Sequence, residues 1–250
     1  MEQIIHLILK IAVTLIESGA EISRVEDSVS YMCRAYGAMA TNTYATTAHV
    51  TVTVEMPDGA LYTQTKRPKH ISNNFDLLDR TNALVRRITA EAPSAEEIKT
   101  AIDALPKKKY PFYVIALAQG VISAAFCLFF GSRSATECLL AFLIGLALGF
   151  LGHLLDRMES NTLLKSFLLS FLASMLAFSV TRLGIISTPD YIIIGYIMNL
   201  IPGLGFTGAM RDLFVGDLFT GMLRILGALL LAASIAVGFV LTMVLFGGVA

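Results

Sequence analysis

The sequence predicts an α-helical membrane protein with five transmembrane helices, preceded by a small soluble α+β domain. Of its 250 residues, 55% are hydrophobic and 15% are charged, whereas soluble domains average roughly 45–50% and about 25%. The charges are also unevenly placed, with 26 among the first 109 residues and 12 among the remaining 141. We therefore expect a soluble domain at residues 1–109 and a transmembrane domain at residues 110–250.

Composition also excludes several classes of function. The formal net charge is zero, which argues against nucleic acid as a partner because no basic face stands out. The three cysteines are an odd number without CxxC or Cys/His spacing, so we expect neither a disulfide framework nor a metal site. No cofactor is indicated, and the apolar second half excludes a soluble enzyme.

The first 37 residues predict two helices. Apolar residues at helical spacing up to Gly19 indicate an amphipathic helix rather than a signal peptide, because charged residues interrupt the apolar run. Ser23, followed three residues later by Glu26, has the spacing of a capping box and predicts a second helix that ends near Tyr36.

A β-hairpin and two further helices are expected next. Residues 41–55 are rich in Thr, Val and Tyr and predict a strand, which a Pro-Asp-Gly turn connects to a second strand at 60–65. Ser72 or Asn73 is expected to begin a helix that ends near Ala90, and Ser94 with Glu97 predicts a capping box for a short last helix. The expected order is ααββαα.

Four charged residues cluster at the start of the second helix. A carboxylate beside a guanidinium is held charged and oriented, as in acid/base or substrate-binding groups. Capping and complementarity with the helix dipole explain the same cluster and are the favoured interpretation. The residues are Glu21, Arg24, Glu26 and Asp27.

Five apolar stretches have about the length that a helix needs to cross a bilayer. They are residues 112–130, 136–155, 163–182, 191–210 and 225–247. If the first span starts in the cytoplasm, seven flanking Lys or Arg lie inside and two outside, as the positive-inside rule requires. We therefore expect a cytoplasmic N-terminal domain and an outside C-terminus. The inside residues are Lys107, Lys108, Lys109, Arg157, Lys165, Arg211 and Arg224, and the outside residues are Arg133 and Arg182.

The fourth span is unusually polar for a simple anchor. Its Asn199, Pro202, Gly203 and Thr207 predict a broken helix whose freed backbone groups need partners, as at transporter substrate sites. A packing kink between helices is the alternative.

Charged residues follow this span near its cytoplasmic end. Arg211 is a candidate to attract a carboxylate, and Asp212 or Asp217 to carry coupling protons. Anchoring at the membrane interface remains an equal alternative. Weaker candidates of the membrane half, among which His153 could relay protons, are Gln119, Ser123, His153 and Lys165.

Three segments together resemble the threonine/serine exporter family of bacterial and fungal membrane proteins. They are residues 18–37 (SGAEISRVEDSVSYMCRAYG), residues 73–88 (NNFDLLDRTNALVRRI) and residues 201–232, which include Pro202-Gly203 and Gly216-Asp217. The resemblance covers nearly the whole chain. It implies an exporter of threonine and serine, or of dicarboxylates such as succinate. Together with the broken span and its flanking charges, it leads us to expect a proton-coupled secondary transporter of the inner membrane.

The resemblance also implies a partner. Long family members have about ten spans after the N-terminal domain, while split members place the second set on a separate small membrane protein. With five spans, this chain resembles the larger subunit of the split type, and a homo-oligomer stays open. The competing hypothesis is a membrane-anchored enzyme or sensor that acts through the N-terminal domain.

Overall fold

The computed structural model describes residues 1–69, 72–106, 110–158 and 161–246. It forms two compact units. The first contains the described residues up to Pro106 together with Met210–Gly221, and the second contains those from Tyr110 to Ala209 and from Met222 onward.

The first unit begins with two helices, and both are where the sequence predicts them. Helix α1 spans Glu2–Glu17 and buries one apolar face in the core of this unit. The chain turns at Gly19, whose φ of 95° favours glycine. Helix α2 spans Ile22–Ala35 and stops before Gly37, which also has a positive φ.

The capping box expected at Ser23 and Glu26 is wrong. Helix α2 begins at Ile22 with Glu21 as its N-cap residue, so Ser23 already lies inside the first turn. Ser23 Oγ donates a hydrogen bond to the Glu21 carboxylate at 3.1 Å, while Glu26 accepts the backbone N–H of Ala45 at 2.8 Å. Glu26 therefore connects the helix to the sheet instead of closing its own helix end.

The sheet has three antiparallel strands in the order β1-β2-β3. The single strand expected over residues 41–55 is wrong, because a tight turn divides it into β1, Ala40–Ala45, and β2, Val50–Glu55. The Thr46 hydroxyl accepts the backbone N–H of His49 at 3.1 Å, and this local bond competes with strand pairing. The expected hairpin is confirmed between β2 and β3, Leu61–Lys66.

Two helices complete the N-terminal part of this unit. Helix α3 spans Phe75–Glu91 and begins after Asn74 rather than after Ser72 or Asn73. The Ser72 N–H instead donates to the Glu17 carbonyl at 2.9 Å, which holds that residue against the end of α1. Helix α4 spans Ala95–Asp103, and its capping box, formed by Ser94 and Glu97, is confirmed.

Four helices are long and apolar enough to cross a membrane, each in an expected position. They are α5, Phe112–Phe129; α6, Ala135–Met158; α7, Thr162–Arg182; and α10, Leu218–Leu245. The fourth stretch forms two shorter helices, α8, Asp190–Leu200, and α9, Gly203–Val215, bent by 52°. The described chain thus has four candidate spans, or five if the bent pair is one. Lys107, Lys108 and Lys109 and the last residue expected in the fifth span lie outside the described residues.

Helices α5 and α6 approach closely because glycines face their contact. A Cβ added at Gly149 would lie 2.4 Å from Ala116 Cα, and one at Gly145 would lie 2.5 Å from Ser123 Oγ. Small residues four apart are typical of tight contacts between membrane helices.

Candidate functional site

The fourth apolar stretch breaks at Pro202. Ile201 before it is extended, with a ψ of 130°, the conformation that a following proline favours. Helix α9 resumes at Gly203, which makes no close approach to other residues. Thr207, one turn later, donates its hydroxyl to the Gly203 carbonyl at 2.9 Å, so this hydrogen bond stays within α9.

Asn199 lies one turn before the break and connects α8 to α5. Its side-chain amide donates to the Gln119 carbonyl at 3.1 Å and to Ser123 Oγ at 3.4 Å. Hydrogen bonds of this kind between helices satisfy polar groups that have no water partner in the hydrocarbon region. Three of the polar residues singled out in the sequence therefore meet at one place.

A cavity of about 100 Å³ lies beside this network within the second unit. It is far smaller than the roughly 300–1,000 Å³ of sites for drug-sized ligands and suits a solute of few heavy atoms. Its lining comes from the start of α5, the end of α6, the start of α7 and the end of α8. The lining residues are Phe112, Ile115, Gln119, Leu148, Gly149, Gly152, His153, Asp156, Lys165, Leu169, Asn199 and Leu200.

The cavity carries an ion pair between Lys165 and Asp156. The Lys165 side chain is 25% exposed and that of Asp156 is 61% exposed, so the lysine side chain is the more buried of the two. The His153 ring stacks on Phe112 with their centroids 4.8 Å apart. Cationic, anionic and aromatic groups thus meet in one small space.

A second cluster of charges lies within the first unit. Arg211, on α9, forms an ion pair with Glu21, the N-cap residue of α2. The Glu21 side chain is 13% exposed and that of Arg211 is 56% exposed. Residues 190 positions apart in the chain, singled out for different reasons, are therefore direct partners.

Glu26, also in the first unit, lies close enough to Asp217 to be influenced by its charge. Burial raises the pKa of the Glu26 carboxyl, as do the neighbouring charges of Asp217 and Asp27, while the hydrogen bond from Ala45 opposes the rise. Asp217 also accepts the Thr220 N–H at 3.1 Å, which caps the start of α10.

The remaining sequence candidates are placed differently. Arg24 and Asp27 are exposed, whereas Asp212 is buried with 3% of its surface accessible. The backbone carbonyl of Asp212 accepts the Asp217 N–H at 3.0 Å, which closes the turn between α9 and α10.

Sequence reasoning missed Asp156 and the glycines beside the cavity. A short loop between two apolar stretches brings the end of one helix beside the start of the next. Asp156 before the loop and Lys165 after it could therefore have been predicted as an ion pair. The Gly145 and Gly149 spacing was a second signal, because it permits the close contact of α5 with α6.

Several apolar helices, a broken fourth stretch and a small polar cavity are features of multi-pass membrane transport proteins. Residues 6–246 match the family described as "Putative threonine/serine exporter". The chain belongs to this threonine/serine exporter family.

Individual relatives are distant but align over most of the chain. The "Probable succinate transporter subunit YjjP" of Klebsiella aerogenes is 22% identical over 97% of this chain and 93% of that protein. The protein of the same name from Escherichia coli is 22% identical over 97% and 94%. A "Probable threonine/serine exporter" of Mycobacterium tuberculosis is 21% identical over 96% of this chain but 46% of its own length. No solved structure matches.

Proposed function

We propose that the protein is a subunit of an inner-membrane secondary transporter that exports small carboxylate-bearing solutes. The solutes are amino acids such as threonine and serine or dicarboxylates such as succinate, and export is coupled to protons. The observation that carries this proposal is the cavity beside the broken helix, where Asn199 and the Lys165–Asp156 ion pair line one small space. A simple membrane anchor has no use for such groups, which are costly in a bilayer.

We infer that the chain crosses the membrane five times, and the contact between Arg211 and Glu21 in the first unit supports this number. Arg211 contacts Glu21, so both lie on one side of the membrane. Helices α5, α6 and α7 provide three crossings between them, and a fourth returns the chain to the starting side. The α8–α9 pair has 11 and 13 residues, about 36 Å of helix at 1.5 Å per residue, against a hydrocarbon core of about 30 Å.

The shared side is assigned to the cytoplasm by the flanking Lys and Arg residues. The cavity lies at the helix ends that face this side, since its lining includes the start of α5, the end of α6 and the start of α7. An exporter loads its solute from the cytoplasm, so this orientation places the cavity where loading occurs.

A second membrane subunit is the expected partner. The chain spans 46% of the Mycobacterium tuberculosis relative, and the Klebsiella aerogenes relative is itself named a transporter subunit. We infer that a separate small protein supplies the remaining spans. Within the first unit, Arg211 pairs with Glu21, and the carboxylates Asp212, Asp217 and Glu26 of the same unit are candidates for proton coupling.

Export from intact cells tests the proposal. A bacterial host expressing the chain, alone and together with its second subunit, is loaded with threonine, serine or succinate, and the medium is sampled over time. We expect faster release of at least one solute when both subunits are present. Unchanged release of all three solutes would count against transport and would leave the N-terminal domain as the place to seek an enzyme or sensor.

A further inference from the structure

We propose that Lys165 binds the carboxylate of the transported solute, and that Asp156 selects for solutes that also carry an ammonium group. This inference rests on the proposed function and names the solute class for the same cavity. In the ion pair between the two side chains, each holds a partner that a charged group of the solute can replace.

The position of Lys165 makes it the natural carboxylate ligand. Its side chain is 25% exposed and shares the lining with Leu148, Leu169 and Leu200. A cation on a largely buried side chain is stabilised by an anionic partner, because removing a charge from water is costly. Gly152 lies beside it, since a Cβ added there would be in ordinary van der Waals contact with Lys165 Cε at 3.8 Å.

Asp156 is a partner that can be exchanged. Its side chain is 61% exposed, and ion pairs with an exposed member contribute little because water stabilises the released charge. A solute carboxylate entering the cavity can therefore replace Asp156 on Lys165 at small cost. The ammonium therefore keeps an anionic partner throughout the exchange.

The charge balance of the cavity then decides which solute fits. Among its described lining residues, Lys165 is the only one with a permanent positive charge and Asp156 the only carboxylate. A zwitterionic amino acid pairs its carboxylate with Lys165 and its ammonium with the released Asp156. A dicarboxylate instead places two negative charges beside Asp156 against one lysine, and like charges at such range repel.

The uncharged groups of the cavity suit a small polar side chain. Asn199 is held by its hydrogen bonds to Gln119 and Ser123, which fixes an amide beside the bound solute. A hydroxyl on the solute finds a hydrogen-bonding group there that a purely apolar wall would lack. The cavity therefore favours a small hydroxyl-bearing amino acid over a larger apolar one.

Three substitutions at the two residues of the ion pair test the assignment in proteoliposomes that hold the complete transporter. Counterflow of labelled serine, threonine and succinate is measured for wild type, Lys165→Met, Lys165→Arg and Asp156→Asn. Arg157→Gln serves as the matched control, because Arg157 is exposed and is not among the lining residues. Each purified variant is first checked for its elution volume and unfolding temperature.

We expect Lys165→Met to raise the apparent KM for every solute by about tenfold or more, as loss of a charge-assisted hydrogen bond implies. Lys165→Arg should recover part of this loss. Asp156→Asn should reduce amino-acid flux relative to succinate flux by about tenfold, and Arg157→Gln should change neither.

Three results would overturn the inference while leaving transport itself intact. The first is wild-type flux that Lys165→Met does not alter. The second is an Asp156→Asn variant whose ratio of amino-acid to succinate flux equals that of wild type. The third is a wild-type preference for succinate that exceeds that for both amino acids. Absence of flux for every solute in wild type would instead contradict the proposed function.

Discussion

At the scale of single residues, the contact of Glu21 with Arg211 is the clearest departure from what the sequence indicates. Capping alone would explain an acid at the start of α2, yet this carboxylate makes no side-chain cap to its own helix. It accepts from Ser23 and pairs with Arg211 instead. A residue that has the pattern of a local cap thus joins segments far apart in the chain.

The Glu21–Arg211 pair predicts a measurable coupling energy. In a double-mutant cycle of Glu21→Gln and Arg211→Gln, we expect the two losses in unfolding free energy to be non-additive by about 0.2–1 kcal/mol, since Arg211 is largely exposed. Denaturant unfolding of the purified protein measures this. Glu21→Gln with Lys99→Gln, at an exposed lysine on α4, is the control cycle. Strictly additive losses in the first cycle would show that Glu21 and Arg211 do not interact in the folded protein.

Glu26 predicts a pH dependence of stability. Burial raises the folded-state pKa of its carboxyl above the ordinary value for glutamate, so the folded protein holds this proton more tightly than the unfolded chain does. The resulting stabilisation is present below the unfolded pKa and is lost as pH rises through the folded pKa.

Glu26→Gln removes this titration and keeps an oxygen that can accept the Ala45 N–H. We therefore expect the variant to gain stability relative to wild type as pH rises from about 4 to about 7, following the direction of the shift. Unfolding temperatures at both pH values measure it, with Asp79→Asn, at an exposed carboxyl on α3, as the control. A difference between variant and wild type that does not change with pH would show that Glu26 titrates normally.

At the scale of elements, apolar periodicity and capping residues predicted most helices and the hairpin. Contacts between residues far apart in the chain were not predicted. Helices α1, α2 and α4 and the β2–β3 hairpin follow from apolar spacing and turn chemistry, which are local. The turn at Thr46 that divides the predicted strand was missed, because residues 41–55 have a β-forming composition throughout. The Thr46 side chain competes with strand pairing without changing that composition. The Lys165–Asp156 ion pair depends on how the end of α6 lies beside the start of α7. The spacing of residues within one helix does not reveal this.

The close contact of α5 with α6 predicts unequal effects for two helical glycines. Gly149→Ala adds a Cβ 2.4 Å from Ala116 Cα, so the helices must separate, and overpacking of this kind destabilises by about 1–3 kcal/mol. Gly227→Ala, in α10, meets nothing within 4 Å and should be neutral or stabilising by up to about 1 kcal/mol through helix propensity. Unfolding temperatures in detergent compare them. Equal temperatures for both variants would contradict the packing described.

The break at Pro202 predicts a functional effect separate from stability. Pro202→Ala removes the restraint that keeps Ile201 extended, so α8 and α9 can merge toward one straighter helix. We expect a transport rate lower by about tenfold or more with little change in unfolding temperature, whereas an enzyme or sensor acting through the N-terminal domain would tolerate the change. Val237→Ala, on the exposed face of α10, is the matched control.

At the scale of the whole molecule, five crossings predict which loops share a side. In a background without the native cysteines, single cysteines at Leu61 and Phe214 should react with a membrane-impermeant maleimide from the cytoplasmic side. A cysteine at Leu183 should react from the outside. All three residues are strongly exposed. If Phe214 reacted together with Leu183 instead, the α8–α9 pair would be re-entrant and the chain would cross four times.

The central claim is that this protein moves small carboxylate-bearing solutes across a membrane as one subunit of a pair. Counterflow into proteoliposomes preloaded with unlabelled serine, threonine or succinate measures this directly, with the chain alone, its second subunit alone, and both together. We predict transient accumulation of at least one labelled solute above the protein-free level only when both subunits are present. Accumulation that never exceeds the protein-free level in any of the three preparations would contradict the account.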